Sequence, residues 1–193
     1  MASRQVLLGS ISGQLKNGNW GMEPNEHHRR AVSLLCECGV RAFDRDNYAP
    51  GHFTASAFVV DVKRTRLLLI RHRKLGLWLQ PGGHVEADDS DLVDAALREL
   101  EEETGLEGAE LLEPWFDLDV HPIPAWGATP GHAHHDVRVL LSAANTRTRL
   151  GKDVDDVAWF DLEELASVHG PLREGLPTDE SVRRVARGLL LSR

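Results

Sequence analysis

The chain has 193 residues, 41% hydrophobic and 27% charged, with a net charge of −8; this composition fits one soluble globular domain with a helical extension and excludes a disordered chain. The acidic balance excludes a nucleic-acid surface, which needs a basic face, and no apolar run reaches the ~20 residues that span a bilayer. The opening Met1-Ala2-Ser3-Arg4 is not expected to begin a secretory signal, and Cys36 and Cys38 stand too close for a good structural disulfide, so a reduced cytoplasmic setting with no membrane partner is expected.

Val6, Leu7, Leu8, Ile11 and Leu15 fall near helical spacing and predict a helix over 4–16, stopped by Asn17-Gly18. A second helix follows Pro24 and runs to about Cys38, with Gly39 at its end. These two helices form an extension over 1–50, expected to pair two copies of the chain as a homodimer, ahead of a domain over 51–193. Residues 43–53 read as a connector. The β-rich runs 54–61 and 66–72 flank the charged turn Lys63-Arg64-Thr65 and predict a hairpin. A glycine-bounded loop at 82–83 leads to a helix from about Asp91 to Thr104. Strands follow near 111–120, 136–142 and 157–160, then a short helix over 162–168 and a terminal one over 179–191. Strands mixed with helices predict an α/β (α+β) class, a mixed sheet with helices packed on it.

The central helix carries the chemistry. Val93, Ala96, Leu97 and Leu100 recur at i, i+3, i+4 and i+7 and predict the core stripe. Glu99, Glu102 and Glu103 stand at i, i+3 and i+4, about 115° around the helix from that stripe. Like charges at this spacing cost ~0.2–0.5 kcal/mol per pair, and the helix dipole disfavours anions at a C-terminal end. A solvated acidic face is the usual meaning of such a run. A hard cation accounts for both broken rules, since Mg²⁺ and Mn²⁺ take oxygen ligands. Ahead of the helix, the glycines of Leu79-Gln80-Pro81-Gly82-Gly83-His84 let the backbone approach another group. Arg98 is placed to orient the carboxylates, and Gly105 fits the position after a helix end.

Gly83 followed by Arg98-Glu99-Leu100-Glu101-Glu102-Glu103-Thr104-Gly105-Leu106 resembles the Nudix box, Gly-x5-Glu-x7-Arg-Glu-U-x-Glu-Glu-x-Gly-U with U aliphatic. The second half matches throughout. The first half runs one residue longer than the family pattern, and Asp89 or Ser90 stands where the family has its early, orienting glutamate. The resemblance implies the Nudix α/β/α sandwich and hydrolysis of a nucleoside diphosphate linked to another moiety, with Mg²⁺ or Mn²⁺. It implies that Glu99, Glu102, Glu103 and the Gly83 carbonyl hold metal and that Arg98 orients them. Glu102, Glu103 and an acid outside the box are alternatives for the base. Many members bring a further acid from the loop before a Trp-Phe strand, here Asp153 first and Asp156 second, although a polar turn is the plainer reading. Two other readings stand beside hydrolysis. A catalytically silent Nudix binding module would degrade the box glutamates, and an isopentenyl-diphosphate isomerase relative would need a cysteine near the sheet.

Weaker signals concern the substrate side. His132, His134 and Asp136 alternate along a strand and share a face, with His135 on the other; with His121 they are candidates for substrate phosphate or a second metal. Arg71 and Lys74, with Arg73, lie between the hairpin and the glycine loop and are candidate phosphate contacts. Trp78 reads as core and Trp126 as a candidate cover for a base. His27-His28 with Cys36 and Cys38 has poor zinc spacing.

Overall fold

A computed structural model describes residues 8–9, 11–14, 25–151, 153–167, 172, 175 and 177–192. Residues 8–9 and 11–14 are helical, and Ile11 is buried; the rest of the helix expected over 4–16 lies outside the described residues, as does position 168 at the end of the short helix.

Asn25 starts α1 (Glu26–Cys38) by accepting the His28 N–H at 3.0 Å, which satisfies one of the free donors of the first turn. Ala31, Leu34 and Leu35 form its buried face, and Gly39 at φ 54° ends it. A 3₁₀ helix over Gly39–Phe43 follows, where the sequence reading placed only the start of a connector. Phe43 then stacks on Phe53, with ring centroids 5.5 Å apart.

Strand β1 (His52–Asp61) is buried along its whole length. Its turn into β2 (Arg66–His72) is tied by Asp61, whose Oδ1 accepts the N–H groups of Thr65 at 2.7 Å and Arg66 at 3.0 Å. Two short strands escaped the sequence reading: β3 (Leu77–Leu79), and β4 (Gly82–His84) where a glycine loop was expected. Helix α2 (Leu92–Thr104) opens with Asp91 Oδ1 accepting the Asp94 N–H at 2.8 Å. Its buried residues are Leu92, Ala95, Ala96 and Leu100. Val93 and Leu97 are only half-buried, which corrects the expected stripe and turns its centre to about 40° from the glutamates. Glu99 and Glu103 therefore lie within the angular span of the buried face and are half-buried, while Glu102 stands just outside it and is exposed.

Next come β5 (Glu110–Ile123), β6 (His132–Ala143), β7 (Val154–Asp161), α3 (Leu162–Ala166) and α4 (Glu180–Leu191), whose N-cap is Asp179. The last three strands each run beyond the segments expected from sequence. The seven strands form one mixed sheet in the order β3-β2-β1-β6-β5, with β4 on β1 and β7 on β2.

Two compact units divide the chain. One comprises 1–56, 82–97 and 114–139; in it β4 pairs antiparallel with the start of β1, setting Thr54 against His84 and Ala55 against Gly83. The other comprises 57–81, 98–113 and 140–193. There β2 pairs antiparallel with β3 and β7, and Trp78, 0% exposed, meets the Phe160 ring edge-on at 4.8 Å. Trp78 is core, as its position in the sequence predicts. No helix among the described residues is long and apolar enough to cross a membrane.

Candidate active site

The acidic end of α2 belongs to the second unit. Arg98 Nη1 lies 3.0 Å from Glu99 Oε1 and 3.4 Å from Glu102 Oε1, so a guanidinium nitrogen bridges carboxylates of successive turns. The Glu99 side chain is 16% exposed and that of Glu102 58%, which leaves Glu102 open to water. Helix α2 ends at Gly105, φ 62°, whose N–H reaches the Glu101 carbonyl at 2.8 Å. The run entering β7 completes that end. Arg149 N–H donates to the Thr104 carbonyl at 2.8 Å and Gly151 N–H to the Glu103 carbonyl at 3.0 Å. These bonds take up carbonyls that a helix end leaves unpaired and blunt the negative pole beside the carboxylates. They demand glycine at 151, because a Cβ there would stand 1.9 Å from the Glu102 carbonyl oxygen.

Asp153 follows on the same run. It has φ 59°, is exposed, and lies 3.9 Å from Arg73 Nη1, while Asp155 takes the closer contact to Arg73 Nε at 2.8 Å. Asp156 pairs in register with Arg71 on β2 and accepts the Val157 N–H at 2.8 Å. Lys74 is exposed just past β2.

Gly82 and Gly83 lie in the first unit, on β4. A Cβ on Gly82 would stand 2.3 Å from Ser56 Oγ and 2.7 Å from the Ala55 carbonyl oxygen, so the residue is small to let β4 lie against β1. Asp89 is buried and its Oδ2 accepts the Glu86 N–H at 2.7 Å, closing the turn before α2. Ser90 instead bonds to Asp94.

The first unit holds a second polar assembly. Residues His132, His134, Asp136 and Arg138 alternate along one face of β6, as the period-2 reading predicts for the first three. Asp136 accepts from Thr54 at 3.0 Å and Ser56 at 2.8 Å. Arg138, 2% exposed, reaches Asp136 at 2.8 Å, Asp117 at 3.1 Å and Asp119 at 3.3 Å. Burial works against its charge, but the three carboxylates outweigh it and raise its pKa. Burial also pushes Asp119 upward, yet the His121 hydrogen bond at 3.0 Å and Arg138 hold it down to about 2. His134 is surrounded by the rings of His52, His84, His121 and His132, at centroid distances of 4.8 to 5.7 Å. Burial first, then the charges those four rings would carry, push its pKa down to about 2. His135, on the opposite face beside Phe53, is brought down to about 4 chiefly by burial. His52 and His84 were missed in the sequence; a polar alternation through His52, Thr54 and Ser56 inside an apolar strand was the available signal.

A model of the NUDIX domain matches residues 51–181. The chain belongs to the Nudix family. Among curated Nudix relatives, it is 31% identical over 171 residues to the m7GpppN-mRNA hydrolase NUDT17 of Xenopus laevis, covering 81% of this chain and 54% of that protein. It is 36% identical over 89 residues to the phosphatase NudJ of Escherichia coli K12, covering 46% and 54%. The chain thus spans about half the length of these relatives. Among solved structures, the E. coli dihydroneopterin triphosphate pyrophosphohydrolase superposes with a TM-score of 0.55 at 16% identity, over 73% of this chain and 96% of that one, and so shares the fold.

Within the Nudix box of this chain the donors on the α2 flank are carboxylate oxygens, which fits a hard divalent cation. Their side chains do not converge tightly, however. Among the described residues, the three whose ligating atoms come within 4.8 Å of one another are His52, His132 and His134. His27 accepts the Val120 N–H at 2.6 Å, and Cys36 and Cys38 are free thiols on α1.

Proposed function

We propose that this chain hydrolyses a phosphoanhydride bond in a nucleoside diphosphate linked to another moiety, with Mg²⁺ or Mn²⁺ held by Glu99, Glu102 and Glu103. The observation that carries this reading is the Arg98 bridge between Glu99 and Glu102 on α2, inside the segment that matches the family. A divalent cation on those carboxylates neutralises the pyrophosphate and lowers the pKa of the attacking water. Arg98 fixes the rotamers of Glu99 and Glu102 before anything binds, which lowers the ordering cost of the site. Glu102, open to solvent, is our first assignment for the group that takes the water's proton, with Glu103 next. Asp153 is the proposed further acid, and Lys74 and Arg71 the proposed phosphate contacts.

The intact glutamates favour catalysis over a silent binding module. An isomerase reading lacks support, because Cys36 and Cys38 lie on α1 and not on a strand. The names of the relatives, an m7GpppN cap hydrolase and a phosphatase, guide the choice of substrates to try. A hydrolysis panel with Mg²⁺, read by chromatography of the nucleotide products, should include nucleoside triphosphates, nucleotide sugars, dinucleotide cofactors, dinucleoside polyphosphates and an m7GpppN cap analogue. On the best of these, Glu102→Gln should lower kcat at least about a hundredfold. Wild-type turnover in that variant overturns the assignment, and equal activity in Asp153→Asn and Asp156→Asn removes the loop acids from it.

A further inference from the structure

We infer that His52, His132 and His134 form a second metal site, selective for a borderline transition ion of the Zn²⁺ type and separate from the α2 carboxylates. The geometry comes first. His132 Nε2 and His134 Nε2 face each other at 3.2 Å. Two imidazole nitrogens bound to one tetrahedral zinc at 2.0–2.1 Å lie about 3.3–3.4 Å apart. His52 contributes a third nitrogen, and all three lie within 4.8 Å of one another.

Proton placement points the same way. The Pro130 carbonyl lies 2.9 Å from His132 Nδ1 and the Asn47 carbonyl 3.3 Å from His52 Nδ1. A carbonyl only accepts, so in both rings Nδ1 carries the hydrogen and Nε2 is the acceptor nitrogen, the atom that faces His134 in His132. Carbonyl bonds of this kind orient metal-binding histidines and raise their basicity. His52 is 0% exposed and its Nε2 has no hydrogen-bond partner. A buried acceptor left unpaired is costly, and an ion removes that cost.

The surrounding charge favours a dication. Asp117, Asp119 and Asp136 converge on Arg138, and Asp119 also faces His121, so the face that carries the histidines is rich in carboxylates. Imidazole nitrogen suits Zn²⁺, Ni²⁺, Co²⁺ or Cu²⁺, whereas Mg²⁺ takes oxygen. Three histidines leave a fourth position for water or the oxygen of an anionic ligand. His132 and His134 are half-buried, which gives an ion a way in.

The test uses the chelator-treated, tag-free 193-residue chain and Co²⁺ as the spectroscopic probe. One Co²⁺ per chain should bind with the intense visible absorption of a four-coordinate nitrogen site, and Zn²⁺ should displace it. The band should persist in a Glu102→Gln, Glu103→Gln double variant. His132→Ala and His134→Ala should each weaken binding by at least about tenfold, and Zn²⁺ should raise the melting temperature of the wild type more than theirs. Circular dichroism of these two half-buried variants separates loss of the site from loss of the fold. Absence of the band in wild type, its survival in both histidine variants, or its loss with the glutamates overturns the proposal.

Discussion

Arg98 is the residue on which the carboxylate arrangement turns. One nitrogen of its guanidinium, Nη1, faces both Glu99 and Glu102 at 3.0 and 3.4 Å, held there by a rigid plane, whereas lysine carries its ammonium on a flexible stem. Groups that orient metal-binding side chains are worth roughly 10–100-fold in metal affinity. Arg98→Lys should therefore raise the Mn²⁺ concentration needed for half-maximal activity by that order while leaving the melting temperature nearly unchanged. An unshifted metal titration shows that the bridge is incidental. The glutamates were legible in the sequence because they break two local rules at once. His52 was not, since its partners His132 and His134 lie some eighty positions away and only strand pairing unites them. Asp89 shows a different limit: spacing placed it where the family has an orienting acid, yet its carboxylate closes its own turn on the Glu86 N–H.

At the scale of elements, the seat of α2 rests on a close backbone approach. Gly151 lies where a Cβ would meet the Glu102 carbonyl oxygen and the Glu103 Cα, both main-chain atoms that cannot step aside. Gly151→Ala should cost ~1–3 kcal/mol by overpacking, read as a fall of roughly 2–12 °C in melting temperature. Displacing the run also disturbs the Arg149 and Gly151 bonds to the helix end, so kcat should fall with stability. An unchanged melting curve rules out the tight contact. Helices were read well from sequence because residues such as Pro24, Gly39 and Gly105 mark their ends locally. Strands β3 and β4 were not, because three-residue strands carry too little alternation and Gly82-Gly83 has weak β preference. Their pairing with β1 and β2 makes them strands. The apolar stripe of α2 was misplaced for a related reason: the spacing that linked Ala96 and Leu100 also took in Val93 and Leu97, whereas Ala95, as buried as Ala96 at 0% exposure, lies on the packed face.

For the whole molecule, buried histidines set the response to acid. His134 and His135 have folded-state pKa values of about 2 and about 4, and those of His52 and His72 are also lowered, in each case mainly by burial. The unfolded chain takes up these protons near pH 6.5 while the folded chain refuses them, so stability is full above that pH and falls as pH drops below it. Each withheld proton contributes a slope of up to about 1.4 kcal/mol per pH unit. For His135 the slope ends through pH 4, and for His134 it continues toward 2. In the presence of chelator, the urea midpoint should decline steadily from pH 7 to pH 5, and less steeply in His134→Asn. A flat midpoint contradicts the burial argument.

The clasp of Arg149 and Gly151 on the last carbonyls of α2 also governs where this scaffold accepts change. Inserting or trimming even one position between β6 and β7 alters which amide faces the helix, so that segment resists grafting. The 126–129 turn closes on itself through the mutual Trp126 and Thr129 bonds, and Trp126 projects outward at 80% exposure. New recognition segments belong there.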